Sequence, residues 1–174
     1  DCGNATSATQ TITIIDTTAP EFTSIPADYT AECSDAHPMD DASATDNCGE
    51  VTIDVVETTI PGLCAGDYTI TRAFTATDDC GNATSATQTI TIIDTTAPEL
   101  TIPSDYTVAC DLDIELEGAT ATDNCSEEVT IEVSEIEVPG VEIGSFTIER
   151  TFTATDDCGN VAIEIQTITV EASV

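Results

Sequence analysis

Apolar and polar residues alternate along most of the chain with a period of two. In Tyr68–Ala76 one face carries Tyr68, Ile70, Arg72, Phe74 and Ala76, and the other carries Thr69, Thr71, Ala73 and Thr75. That is the parity of an extended strand with one face turned to a core. Phe146, Ile148, Arg150, Phe152 and Ala154 repeat it further on. Val51, Ile53 and Val55 form the apolar face of another strand, echoed by Val129, Ile131 and Val133. No stretch shows a helical period, so the pattern predicts an all-β chain of short, β-branched strands. The last strand is irregular. Val161, Ile163 and Ile165 share one parity while Ile168 and Val170 hold the other. A phase change near Gln166, and near Gln88 in the matching segment, predicts a β-bulge.

The pattern recurs because the sequence does. Residues 1–20 are identical to residues 79–98, and a diverged third copy of the opening motif begins at Asp157. The steps from Asp1 to Asp79 and from Asp79 to Asp157 are each 78 residues, so the chain is a tandem array. The expected organisation is the last strand of a preceding, incomplete module in 1–15, a first repeat in 16–93 and a second in 94–174. Strands of this length, with turn residues between them, predict an antiparallel two-sheet sandwich of immunoglobulin type. The joining sequence Asp-Thr-Thr-Ala-Pro leaves almost no linker, and Pro holds the preceding Ala extended. The repeats are therefore expected end to end, as a stiff rod. Identity of residues 1–20 with 79–98 fits a chain that donates a strand to a neighbour, and fits simple continuation from an upstream module equally.

Charge changes the picture. Among 174 residues there are 34 acids, two arginines and no lysine, a formal net charge of −32. Such acidity commonly means disorder. Here the acids are interleaved with Thr, Ile and Val in strand order, and 40% of residues are hydrophobic, so a folded anionic array is expected. It would repel itself and call for multivalent cations. Nucleic acid is excluded as a partner, because phosphate binding needs a basic surface. No apolar stretch is long enough to span a bilayer. Eight cysteines beside one histidine, without CxxC or a zinc spacing, indicate disulfides in an oxidising, extracellular or cell-surface setting.

The motifs TATDDCGN (Thr75–Asn82 and Thr153–Asn160), ATDNCG (Ala44–Gly49) and DTTAPE (Asp16–Glu21 and Asp94–Glu99) resemble hyalin-type repeats. The likeness is greatest to the tandem versions on large secreted surface proteins of bacteria. It covers the whole chain and implies an immunoglobulin-like fold, a role in adhesion or extracellular scaffolding, and no enzymatic activity. DTTAPE also resembles the cadherin linker, which implies an acidic calcium ligand just before Ala-Pro. The second repeat departs from the regular cysteine pattern, with Glu142 where Cys64 would be.

Cys48 and Cys80 follow matching TDN and TDD phrases at the ends of two strands whose loops share one pole of an immunoglobulin-like sandwich. The expected disulfides are Cys48–Cys80 and Cys125–Cys158. Cys33 and Cys64 lie at the opposite pole and are expected to pair with each other. Cys2 belongs with a preceding module. Cys110 is left over, and a free thiol, an inter-chain cross-link and a buried reduced cysteine all stay open.

The carboxylates carry the chemistry. Asp46 shares parity with Ala44 and Cys48, and Asp78 with Ala76 and Cys80, so both are expected at the same pole. Asp16 should arrive there too, and Asp94, Asp123 and Asp156 repeat the trio. Converging carboxylates raise one another's pKa unless a cation answers them. Calcium, which takes about 6–8 oxygen ligands, fits better than magnesium. Asn47, Asp79, Asn124 and Asp157 are candidates to complete the shells. The alternative is that these aspartates only cap turns; recurrence of the trio in both repeats favours the ion.

Arg72 and Arg150 face the apolar side of their strands and are expected to pair with an acid such as Glu57 or Glu135. His37 has no counterpart in the second repeat, which argues against catalysis. Asn4, Asn82 and Asn124 begin N-glycosylation triplets. The function expected is a structural module of a calcium-stiffened extracellular filament or adhesin stalk, whose partners are neighbouring copies of itself. The alternative is a binding module for a glycan, a surface or ice. Without Trp, and with its few aromatics at core-facing positions, the chain favours the structural reading.

Overall fold

A computed structural model describes residues 2–172. The outer limits of the expected repeats, at residues 1 and 173–174, lie outside the described residues. The chain is all-β, with no helix among the described residues. The first repeat contributes β1 (Glu21–Ser24), β2 (Tyr29–Glu32), β3 (Ser43–Thr45), β4 (Val51–Pro61), β5 (Tyr68–Asp78) and β6 (Ala83–Ile93). The second contributes β7 (Glu99–Thr101), β8 (Tyr106–Ala109), β9 (Thr120–Thr122), β10 (Thr130–Pro139), β11 (Phe146–Thr155) and β12 (Val161–Glu171).

Each repeat builds the same two sheets. A small one pairs β1 with β3, or β7 with β9, antiparallel. A larger one runs in the order β2-β6-β5-β4, or β10-β11-β12-β8. One difference from the expected all-antiparallel sandwich is that β2 pairs parallel with β6, and β8 with β12. The short first strand breaks between sheets, as β1 and β2 are separate elements, and its second half enters the larger sheet in the direction of the last strand.

Two compact units divide the chain. One comprises Asp1–Ala27, Met39–Glu57 and Arg72–Gln88; the other comprises Asp28–Pro38, Thr58–Thr71 and Thr89–Val174. In the first, the inward side of β5 buries Phe74 and Ala76 beside Arg72 and Gln88. In the second, Ile70, Ile90 and Ile92 form one cluster, against which Tyr29, Ala31, Cys33 and Tyr68 pack. Phe152, Ala154, Ile168 and Val170 are the corresponding buried residues of the second repeat. Each fully buried Ile, Val or Phe among these contributes roughly 1.5–3 kcal/mol by leaving water.

The β-bulge expected near Gln166 is absent. Pairing of β11 with β12 runs unbroken from Phe146↔Val170 to Thr155↔Val161. Val161, Ile163 and Ile165 simply face outward, while Gln166, Ile168 and Val170 face in. The apparent phase change arises because a buried glutamine stands in the apolar register. Gln166 lies opposite Arg150, accepts from its Nη1 at 3.0 Å, and donates to the Ser104 carbonyl at 2.9 Å. Arg150 bonds Glu135 at 2.9 Å and Arg72 bonds Glu57 at 2.9 Å, the pairs expected from the sequence. A register irregularity does occur between Phe22 and Ser24 in β1.

Residues 2–20 form no strand, and their isoleucines are open to solvent: Ile12 is 74%, Ile14 89% and Ile15 76% exposed.

Candidate metal centres

Two clusters each bring three aspartates together. Asp16, Asp46 and Asp78 each place a carboxylate oxygen within 4.8 Å of the others, and Asp94, Asp123 and Asp156 do the same. Each aspartate stands at a strand end or turn and uses Oδ1 as a local cap. Asp16 Oδ1 accepts from Thr18 N at 3.0 Å, and Asp46 Oδ1 from Cys48 N at 2.8 Å. Asp94 Oδ1 accepts from Thr96 N at 3.1 Å, and Asp123 Oδ1 from Cys125 N at 2.8 Å. These are the turn caps that Asp favours. They leave the second oxygen over.

That second oxygen distinguishes the clusters from ordinary turns. Oδ2 of Asp46, Asp94 and Asp123 is buried without a hydrogen-bond partner. An unpaired buried carboxylate oxygen is costly, and a charged one more so. Asp78 and Asp156 are served differently. Asn82 donates from Nδ2 to Asp78 Oδ2 at 2.8 Å, and Asn160 to Asp156 Oδ2 at 2.9 Å. The same amides also donate to the Asp16 carbonyl at 3.3 Å and the Asp94 carbonyl at 3.2 Å, pinning the first aspartate of each trio beside the third.

Electrostatics follow from these partners. The Asn82 amide, with further backbone donors, holds the Asp78 carboxyl below its ordinary range. Burial pushes the Asp94 carboxyl up, and the neighbouring charges of Asp123, Asp156 and Glu32 add to the shift. No cationic side chain relieves it, since the only two arginines are engaged with Glu57, Glu135 and the buried glutamines. An all-oxygen donor set with buried unpartnered oxygens is suited to a hard divalent cation.

Of the other four expected ligands, Asp157 has both carboxylate oxygens engaged in hydrogen bonds. Asp157 Oδ2 accepts from Ala65 N at 2.8 Å, and its Oδ1 accepts from the Ser126 hydroxyl. Asn47 Nδ2 contacts Cys48 Sγ at 3.1 Å, and Asn124 Nδ2 contacts Cys125 Sγ at 2.9 Å. Asp79 lies against Gly49, where an added Cβ would be 3.4 Å from its Oδ2.

The disulfides differ from expectation. Cys33 bonds Cys125, and Cys64 bonds Cys158, with Cα separations of 6.0 and 5.1 Å. The expected pairs Cys48–Cys80, Cys125–Cys158 and Cys33–Cys64 do not form; Cys48 and Cys80 are exposed free thiols, as is Cys2. The loops that end in Cys125 and Cys158 bond across to the previous repeat instead of to each other. Their partners are the end of β2 and the β4–β5 hairpin. Each bond closes a loop of over ninety residues, worth roughly 4–5 kcal/mol in the chain-entropy model.

Residues 98–170, less than half of the chain, match the family described as HYR-like domain with 4 cysteines. That segment holds Cys110, Cys125 and Cys158, with Glu142 at the place of Cys64. No curated protein matches the chain. Among solved structures, Drosophila N-cadherin EC1-4 is 14% identical with a TM-score of 0.41, covering 88% of this chain and 50% of that one. Human mucin-like protocadherin EC1-2 is 9% identical with a TM-score of 0.36, covering 88% and 98%. The human desmocollin-1 ectodomain is 11% identical with a TM-score of 0.34, covering 90% and 42%. The chain thus spans about half of the N-cadherin fragment. The family match and the disulfides support an extracellular immunoglobulin-like repeat. No helix among the described residues is long and apolar enough to cross a membrane.

Several contributors to the second cluster were missed in the sequence. Asp67 Oδ1 accepts from Asp94 N at 3.1 Å. Glu32 accepts from the Thr95 backbone at 3.1 Å and from its hydroxyl. Gly66 lets the hairpin close over Asp94: a Cβ there would lie 2.5 Å from the Asp94 Cβ. The Cys64-Ala65-Gly66-Asp67 loop, with a glycine between a cysteine and an acid, was the available signal. Parity rules do not extend to loops, so nothing placed it against Asp94.

Proposed function

We propose that this chain is a structural segment of an extracellular filament or adhesin stalk, in which calcium joins disulfides in fixing successive repeats. Asp94, Asp123 and Asp156 hold one ion, and Asp16, Asp46 and Asp78 the equivalent one. The observation that carries this is the pair of buried, unpartnered Oδ2 atoms of Asp94 and Asp123 in a three-carboxylate cluster. Bound calcium would supply the positive charge that the two arginines do not. It would act at the point where Asp94 leaves the last strand of one repeat and begins the next. The residues supply oxygen ligands and fixed turns; they perform no reaction. Lateral charge repulsion between repeats would fall as the ions bind.

Isothermal calorimetry of the metal-free chain with calcium chloride tests the proposal. Two sites per chain are expected, reduced to one by Asp94→Asn, with a higher melting temperature in calcium and its reversal by EDTA. An identical melting curve with calcium and with EDTA would overturn it.

A further inference from the structure

The cysteines left free in the first repeat have counterparts in the second that are not. By the repeat register Cys48 corresponds to Cys125 and Cys80 to Cys158. Cys125 and Cys158 bond to Cys33 and Cys64 of the repeat before. Two local hydrogen bonds recur around each pair. Cys48 N donates to Asp46 Oδ1 and Cys125 N to Asp123 Oδ1, both at 2.8 Å. Asn82 N bonds Asp78 Oδ1 at 2.9 Å where Asn160 N bonds Asp156 Oδ1 at 2.8 Å. The face that receives a preceding repeat is therefore formed twice, and only the second copy is filled within this chain. Asp79 completes it: its counterpart Asp157 accepts the Ala65 backbone NH of the incoming hairpin.

Residues 5–15 point to the occupant. They are identical to 83–93, which form β6, yet they lie outside any strand with Ile12, Ile14 and Ile15 exposed. In β6 the equivalent Ile90 and Ile92 are 0% and 1% exposed. In the filled junction β6 leads directly to Asp94, just as residues 5–15 lead to Asp16.

We propose that Cys48, Cys80 and Asp79 form a docking face for a preceding repeat of the same kind, which takes residues 5–15 as its last strand. That repeat presents cysteines at the positions of Cys33 and Cys64, and two disulfides join it to Cys48 and Cys80 respectively. Each bond forms by exchange with a low-molecular-weight disulfide such as oxidised glutathione. One cysteine thiolate displaces a glutathione thiolate to give a mixed disulfide. The second cysteine's thiolate then displaces the other, so two protein thiols and one oxidised glutathione yield one protein disulfide and two reduced glutathiones. The proposal rests on the tandem-repeat reading but not on calcium, so its test is read in thiols.

Sequence identity makes a direct experiment available. Placing residues 16–78 ahead of Asp1 restores a complete repeat, because residues 1–15 duplicate 79–93. The added segment carries Cys48→Ala and the original chain carries Cys2→Ala, the counterpart of Cys80, so that the chain's own Cys48 and Cys80 are unique. After refolding in a glutathione buffer, Cys48 and Cys80 of the original chain should resist iodoacetamide, and peptides linking them to Cys33 and Cys64 of the added segment, respectively, should appear. Amide hydrogens of residues 5–15 should change from fast exchange to the protection of β6. Alkylation of both thiols in the folded extended chain, or a Cys48–Cys80 bond, would overturn the proposal. A second variant needs no extension. Cys33→Ala with Cys64→Ala in the original chain should leave Cys125 and Cys158 alkylated as readily as Cys48 and Cys80. A Cys125–Cys158 bond in that variant would also overturn it.

Discussion

Asp94 concentrates the electrostatic conflict of this chain in a single residue. The residue is 6% exposed, one carboxylate oxygen caps Thr96, the other has no partner, and its pKa is raised by burial and then by nearby acids. A raised carboxyl takes up a proton in the folded state before it does so unfolded. Without calcium, stability should therefore rise as pH falls from the raised value toward the ordinary one of 3.8. With calcium the sign should reverse, because protons then compete with the ion for the same oxygens. Melting curves between neutral pH and pH 4.5, with and without chelator, measure both slopes. Asp94→Asn keeps the cap on Thr96 but removes the charge. It should leave the metal-free chain equally stable or more so, while removing the calcium increment that the second cluster supplies. At calcium a hundred times its dissociation constant that increment is about 2.7 kcal/mol, or roughly 5–10 °C for a chain of this size.

At the level of strands, β12 separates what is paired from what is merely apolar. Gln166 serves both Arg150 and the Ser104 carbonyl from a buried position. Gln166→Leu should cost about 1–3 kcal/mol in urea denaturation, because it strands polar groups away from water. Ile163→Ser, three residues earlier on the exposed face, should stay within about 0.5 kcal/mol despite removing a larger hydrophobic group. An equal cost at both positions would contradict this account of the strand. The same strand shows what could be read from sequence. Parity alone put Arg72, Phe74 and Asp78 on one face, and repetition aligned Asp94 with Asp16, because strand geometry is local. Gln166 misled the reading, since a polar residue in apolar register resembles a slipped register until its partner on the next strand is known. The disulfides were illegible for a different reason. Cys33 and Cys125 are separated by 92 residues, and which loop meets which depends on how one repeat follows another.

For the whole chain, a charge of −32 must be held together against itself. Two disulfides and the Asp94–Asp123–Asp156 cluster act at the same place, so their removal should not be additive. Reduction alone and chelation alone should each lower the melting temperature. Together they should lower it by more than the sum, because the free acids then repel across a junction with no covalent tie. Sodium chloride should recover part of the loss by shortening the Debye length from about 30 Å at 0.01 M to 8 Å at 0.15 M. Scanning calorimetry across the four combinations of reductant and chelator measures the coupling, and strict additivity would argue that ions and disulfides act independently.

The two arginines have a further consequence, for proteolysis. With no lysine, trypsin-like enzymes can cut this chain only after Arg72 or Arg150, and these are 2% and 5% exposed inside central strands. Neither bond can reach an active site until its sheet has opened. Digestion by trypsin therefore reports the population of opened molecules, rather than the accessibility of loops. A surface so poor in cleavable positions would suit a protein that spends its life among secreted proteases of that specificity.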